Sequence, residues 1–136
     1  MPTHGSNEAE VREYWFSRYY HTLLVRAGER YVVIVDVYRR GWRFGETSRE
    51  CVADGNVCLI YYRASPGDLG LGELADGAIE VEIVGLLSGE GAETISVRWY
   101  LPSKPNESEV ERLFELSWRL VGCERPRDDS FILGCG

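Results

Sequence analysis

The chain has 136 residues, of which 44% are hydrophobic and 27% charged, and a formal net charge of −7; that is the balance of a single globular domain of about 100–150 residues. No apolar run approaches the roughly 18–20 residues of a membrane-spanning helix, no apolar leader follows the N-terminus, and a strongly basic nucleic-acid binder is excluded for the chain as a whole. The charge is uneven: residues 1–63 carry nine arginines against eight acids, whereas residues 64–136 carry six basic residues against fourteen acids. The first half can therefore present a locally basic surface, and the second reads as a solvated acidic face. Arginine outnumbers lysine fourteen to one, glutamine is absent and the only methionine is Met1. Such a composition points to a heat-adapted source or to GC-rich coding.

Residues 1–6 read as a loose tail. Asn7 followed by Glu10 gives the signature of a capped helix. Apolar positions then recur at Val11, Tyr14, Trp15, Tyr19, Leu23 and Ala27, a helical spacing that Gly28 terminates. This predicts an aromatic N-terminal helix with His21 in its middle. Tyr31–Tyr38 is a β-branched run that predicts a central strand buried on both faces for much of its length. Asp36 interrupts it, and a carboxylate buried there has to be paired.

After a loop over 41–47, two short strands are expected at about 48–53 and 56–63. Asp54-Gly55 joins them as a two-residue hairpin turn. Centring the turn there sets Cys51 opposite Cys58, at a separation a disulfide can bridge; two reduced, buried thiols are the alternative. Cys135 is a candidate for a second bridge to Cys123, or for one between chains. No Cys-x-x-Cys pair occurs and the two histidines, His4 and His21, have no ligand spacing, so no metal site is expected.

Residues 64–77, with Pro66 and four glycines, read as a long loop. Residues 78–87 and 94–101 alternate cleanly and predict a hairpin with one buried and one wet face. Arg98 can pair with Glu80 or Glu82 across the wet face. Asn106 and Glu109 repeat the cap signature. Val110, Leu113, Phe114, Ser117 and Val121 then line one side of an amphipathic helix stopped by Gly122. The expected fold is α+β: about five antiparallel strands with an N-terminal and a C-terminal helix on one face, in one domain over 1–136 whose tail begins at residue 123.

The strongest local constellation is Tyr38-Arg39-Arg40-Gly41-Trp42-Arg43-Phe44. Cations that follow phosphates and rings that stack on bases are what single-stranded nucleic acid requires. Trp15 and Arg18 extend that surface, as do Arg49 and Tyr61-Tyr62-Arg63 on the neighbouring hairpin. The alternative is a loop whose rings fold onto the core while its arginines pair with Glu46 and Glu50. The order helix, antiparallel strands, helix, with these basic and aromatic residues, resembles the archaeal ThermoDBP-related single-stranded DNA-binding proteins over roughly residues 8–122. The resemblance implies sequence-tolerant binding of single strands in a cleft, and oligomerisation. The tail Asp128-Asp129-Ser130-Phe131-Ile132-Leu133 resembles the acidic, apolar-tipped ends with which some single-strand binders recruit partners; an edge strand is the alternative reading.

Catalytic signals are thin. No nucleophile triad has a convincing histidine, and the glycine-rich stretch 67–72 lacks the Gly-Lys-Ser/Thr of a phosphate loop. The expectation is a non-catalytic, cytoplasmic, cofactor-free protein that binds single-stranded nucleic acid, more readily DNA than RNA. The alternatives are an assembly subunit, and a small-molecule site around His21 and Asp36.

Overall fold

A computed structural model describes residues 10–17, 20–42, 48–52, 57–71, 77–87 and 92–126. Seven antiparallel strands form one sheet: β1 (Val11–Trp15), β2 (His21–Ala27), β3 (Arg30–Trp42), β4 (Ser48–Val52), β5 (Val57–Ala64), β6 (Glu80–Leu87) and β7 (Ala92–Leu101). A 3₁₀ turn at Pro66–Leu69 follows β5, and helix α1 (Glu107–Leu120) follows β7. The spatial order β1-β2-β3-β7-β6-β5-β4 joins two meanders side by side. The first runs outward-in from β1 to β3. The second starts at the opposite edge with β4 and returns to place β7 against β3.

The α+β class holds, with seven strands and a single α-helix among the described residues in place of five strands and two helices. The expected N-terminal helix is a β-hairpin. Val25 pairs with Val11 and His21 with Trp15, so His21 opens a strand instead of sitting mid-helix. Aromatic and β-branched side chains favour a pleated surface over a helix, where their χ1 freedom is lost. Gly28 is not a helix stop. It lies at φ 67° in the two-residue turn between the paired Ala27 and Arg30, where a positive φ is what a tight hairpin needs. Strand β3 is central, as expected, but its second face is only partly buried: Val33, Val35 and Val37 are enclosed on one face, while on the other Val32 is buried and Asp36 is exposed.

Two other local readings stand, the Cys51–Cys58 pairing and the Asn106 cap, whereas the loop expected over 41–47 begins within β3, which runs to Trp42. Cys51 pairs with Cys58 and the two form a disulfide with Cα atoms 4.0 Å apart. Cys123 is also disulfide-bonded; Cys135, its expected partner, lies outside the described residues, as does the Asp54-Gly55 turn. The Asn106 side chain accepts from the Glu109 amide at 2.9 Å, and the Glu109 carboxylate accepts from the Asn106 amide at 2.9 Å. This reciprocal cap satisfies two donors that a helix start leaves open.

Helix α1 covers one face of the sheet. Val110, Leu113, Phe114, Trp118 and Val121 pack with Val33, Val35, Val37, Ile95, Val97 and Trp99, all essentially without solvent contact. Trp99 donates its indole N–H to the Ser117 hydroxyl at 2.8 Å, and that hydroxyl donates to the Leu113 carbonyl at 2.7 Å. The one polar group that Trp99 carries into the core is thereby satisfied. Arg125 closes the end of this layer. Its guanidinium donates to Glu111 and Glu115 at 2.7 and 2.5 Å and to the Phe16 carbonyl at 2.9 Å, tying the turn after β1 to α1.

Candidate functional site

The sheet face opposite α1 is not covered by any described element. Its composition follows from strand alternation: where Val33, Val35 and Val37 point to the helix, Val32, Ile34, Asp36 and Tyr38 point away. The registers continue this parity across all seven strands.

Three rows result. The first runs Trp15, His21, Asp36, Ser96, Val84, Tyr61 and Ser48 from edge to edge. The second runs Glu13, Leu23, Ile34, Arg98, Glu82 and Arg63. The third runs Val11, Val25, Val32, Tyr100 and Glu80. Neighbouring strands lie about 4.8 Å apart, so Trp15 and Tyr61 bracket a track of roughly 25 Å.

At one end of the track Trp15 is 56% exposed. Its indole N–H donates to a Glu13 oxygen at 2.9 Å, and its ring meets the His21 imidazole edge-on with centroids 5.3 Å apart. The other Glu13 oxygen lies 2.9 Å from His21 Nδ1. Glu13 thus fixes both rings, leaving the indole in solvent.

The centre of the face is a buried carboxylate. The Glu82 side chain is 4% exposed. It accepts from Arg63 Nε at 2.7 Å and from the Tyr100 hydroxyl at 3.2 Å, with Arg98 Nη1 at 3.5 Å. The Glu82 contact holds the Arg63 guanidinium more firmly protonated than usual, and burial followed by the Glu82 charge pushes the Tyr100 hydroxyl up. Two arginines on one carboxylate leave a positive charge directed outward from the middle of the face, offset in part by Glu80. The Arg98 Nε atom is buried and makes no hydrogen bond.

Of the sequence-derived binding residues, Trp15 and Tyr38 lie on this bare face. Arg39, Arg40 and Trp42 are placed by their backbone in β3. Tyr38 pairs with Thr94 and Trp42 with Ala92, so β3 runs four residues where β7 runs two. That irregularity falls on Arg39-Arg40-Gly41, and such bulges redirect side chains at a sheet's end. A second irregularity on the other side of β7, between Gly85 and Leu87, marks the same end of the sheet. Arg18, Arg43, Phe44 and the tail residues Phe131, Ile132 and Leu133 lie outside the described residues.

His21 and Asp36 become neighbours on the bare face, since Thr22 pairs with Val35. Among the described residues no group of three His, Cys, Asp or Glu side chains could hold a metal ion. No described helix is long and apolar enough to cross a membrane.

The pairing of Arg98 with Glu82 was legible from alternation. The convergence of Arg63 and Tyr100 on the same carboxylate was not, because it depends on a β5–β6 register set across a long loop. The alternation of Glu80, Glu82, Arg98 and Tyr100 was the signal that could have flagged the cluster. No family model, no curated protein and no solved structure matches the chain.

Proposed function

We propose that this protein binds single-stranded nucleic acid on the bare sheet face and performs no chemistry on it. The observation that carries the reading is the edge-to-edge row with Trp15 and His21 at one end and Tyr61 at the other, flanked by Arg98 and Arg63 in the next row. Flat rings on an uncovered sheet are stacking platforms for unpaired bases, and the arginines beside them meet the phosphates. Tyr38 adds a further ring on the same face, at the end where the β3–β7 register shifts.

The face also carries Glu13, Asp36 and Glu80, so stacking contributes more than charge. Fluorescence-anisotropy titration of labelled oligo-dT, at two salt concentrations and with its duplex as control, tests this. Single-strand binding with a salt slope of only about one to two phosphates, weakened about tenfold by Trp15→Ala, supports the reading. Absence of binding at low salt rules it out.

A second reading has one specific observation behind it. The corner formed by Val11, Leu23, Val25, Val32 and Ile34 is aliphatic and lies at the edge strand, with Val11 63% exposed. A second copy of the chain seated there would make the protein a homo-oligomeric assembly unit. Light scattering of the wild type against Val11→Glu separates that reading from nucleic-acid binding by a monomer.

A further inference from the structure

On the helix-covered face, beyond the end of the core, the β1–β2 hairpin and the loop before α1 enclose a cavity of about 300 Å³. It lies on the opposite side of the sheet from the row described above. It is lined by the apolar and aromatic Val11, Leu24 and Tyr31 and by the cations Arg12, Arg26 and Lys104, with a single acid, Glu10.

Sequence distance hides this grouping, and register creates it. Arg12 pairs with Leu24, and Arg26 with Tyr31, so both arginines stand on the same face of adjacent strands. Lys104 arrives from the segment after β7. The one acid is only partly engaged: Glu10 Oε2 lies 3.5 Å from Arg26 Nη1. Arg26 Nε reaches the Gly28 carbonyl at 3.4 Å, a long contact. The Arg12 guanidinium lies over the Tyr14 ring, 5.0 Å from its centroid, which leaves its hydrogen-bonding edge open. Among the described residues neither Arg12 nor Lys104 has an ion-pair partner.

Three cations against one carboxylate is a local excess of two positive charges in a chain whose net charge is −7. Like charges gathered around a concave surface repel one another unless an anion sits among them. An arginine fork and an ammonium are the usual partners of phosphate oxygens. Leu24 and Tyr31 give the opposite wall an apolar and aromatic character. The volume lies at the small end of the range for ligand pockets, about 300–1,000 Å³.

We propose that this cavity is a binding site for a small phosphate monoester with a compact aromatic or apolar body. The phosphate lies among Arg12, Arg26 and Lys104, and the body lies against Tyr31 and Leu24. The site does not rest on the nucleic-acid reading: it shares Val11 with the aliphatic corner of the bare face, but includes none of Trp15, His21, Tyr61, Arg63 or Arg98.

Calorimetric titration of the full chain with phenyl phosphate, inorganic phosphate, phenol and succinate tests it. Phenyl phosphate is expected to bind about tenfold or more tightly than inorganic phosphate or succinate, with no measurable heat from phenol. Lys104→Glu and Arg12→Ala, both at exposed positions, are each expected to weaken phenyl phosphate about tenfold while leaving the melting temperature and oligo-dT binding unchanged. Equal affinity for phenyl phosphate and inorganic phosphate overturns the assignment of the apolar wall. Equal affinity for succinate overturns the phosphate. No binding, or binding indifferent to both substitutions, overturns the site. Loss of oligo-dT binding in the wild type overturns only the function proposed for the other face.

Discussion

The sheet has one face under a helix and one face without, and each holds a side chain that is almost fully enclosed at its centre. Under α1 it is Trp99, without solvent contact, with Val33, Val97 and Val81 beside it. On the bare face it is Glu82, 3% exposed, next to Arg98 and Arg63. The two sites solve opposite problems. Trp99 brings a large apolar surface and one donor, and Ser117 on the helix takes the donor. Glu82 brings a charge that burial opposes, and three side chains of its own sheet compensate it. The covered face is therefore stabilised by a second layer. The bare face achieves burial without one, by laying long arginine and tyrosine side chains over a carboxylate.

The largest expected effect comes from breaking the covered face. Trp99→Ala removes a fully buried indole and, with it, the N–H that the Ser117 hydroxyl accepts. Truncation of this kind costs about 3–5 kcal/mol, enough to remove much of the stability of a domain this size. Urea denaturation followed by circular dichroism would show a lower midpoint. A loss below about 2 kcal/mol would mean that α1 collapses into the space and that the two layers are less tightly joined than their contacts imply.

The bare face should respond less. Glu82→Gln keeps the shape and removes the charge, leaving Arg63 and Arg98 without their counterion. A fully buried pair broken in this way costs about 3–5 kcal/mol. Here both arginines are substantially exposed, at 61% and 39% of their side chains, and regain water, so about 2 kcal/mol is expected. The same denaturation measurement checks it. A change below about 0.5 kcal/mol would show that water already screens the cluster. If Glu82→Gln also tightens oligo-dT binding, the positive charge released on the bare face contributes to recognition.

The two faces also differ in how well the sequence shows them. In β6 and β7 apolar and polar residues alternate, and their pairing, their buried side and the Arg98–Glu82 contact can all be read from that period. The cap of α1 is local, so Asn106 and Glu109 announce it. In residues 11–27 apolar side chains stand on both faces: Val11, Leu23 and Val25 point outward while Leu24 points to the core. With hydrophobic residues on both faces the period of two disappears, and the spacing that remains fits a helix equally well. The aliphatic corner that motivates an oligomer is thus the feature that disguised the hairpin. Once 11–27 is taken for a helix, Arg12 and Arg26 fall far apart, and no reading of the chain brings them to Lys104. The β-branched run around Asp36 likewise suggests burial on both faces, yet Asp36 is exposed because no described element covers its side of the sheet.

The smallest effect is a pH dependence confined to the bare face. The Tyr100 hydroxyl is pushed above its ordinary value by burial first and by the Glu82 charge second, while Arg98 and Arg63 act in the opposite direction. A raised value means that the folded protein holds this proton more tightly than the unfolded chain does. The resulting stabilisation is fully present below about pH 10 and is lost as pH rises through the folded-state value, where the unfolded chain has already released its proton. Tyr20, packed edge-on against Trp118 on the covered side, is raised as well, by burial and then by Tyr38. Urea midpoints measured from pH 8.5 to 11 should therefore fall for the wild type above about pH 10. Tyr100→Phe should flatten that fall in part, and Tyr20→Phe should remove a separate share, because the two hydroxyls lie on different faces and their contributions should add. An alkaline limb in Tyr100→Phe as steep as that of the wild type would mean that its hydroxyl gains nothing from burial. The bare face would then be polar at its surface only, with Glu82 reached by water from the side of Tyr100.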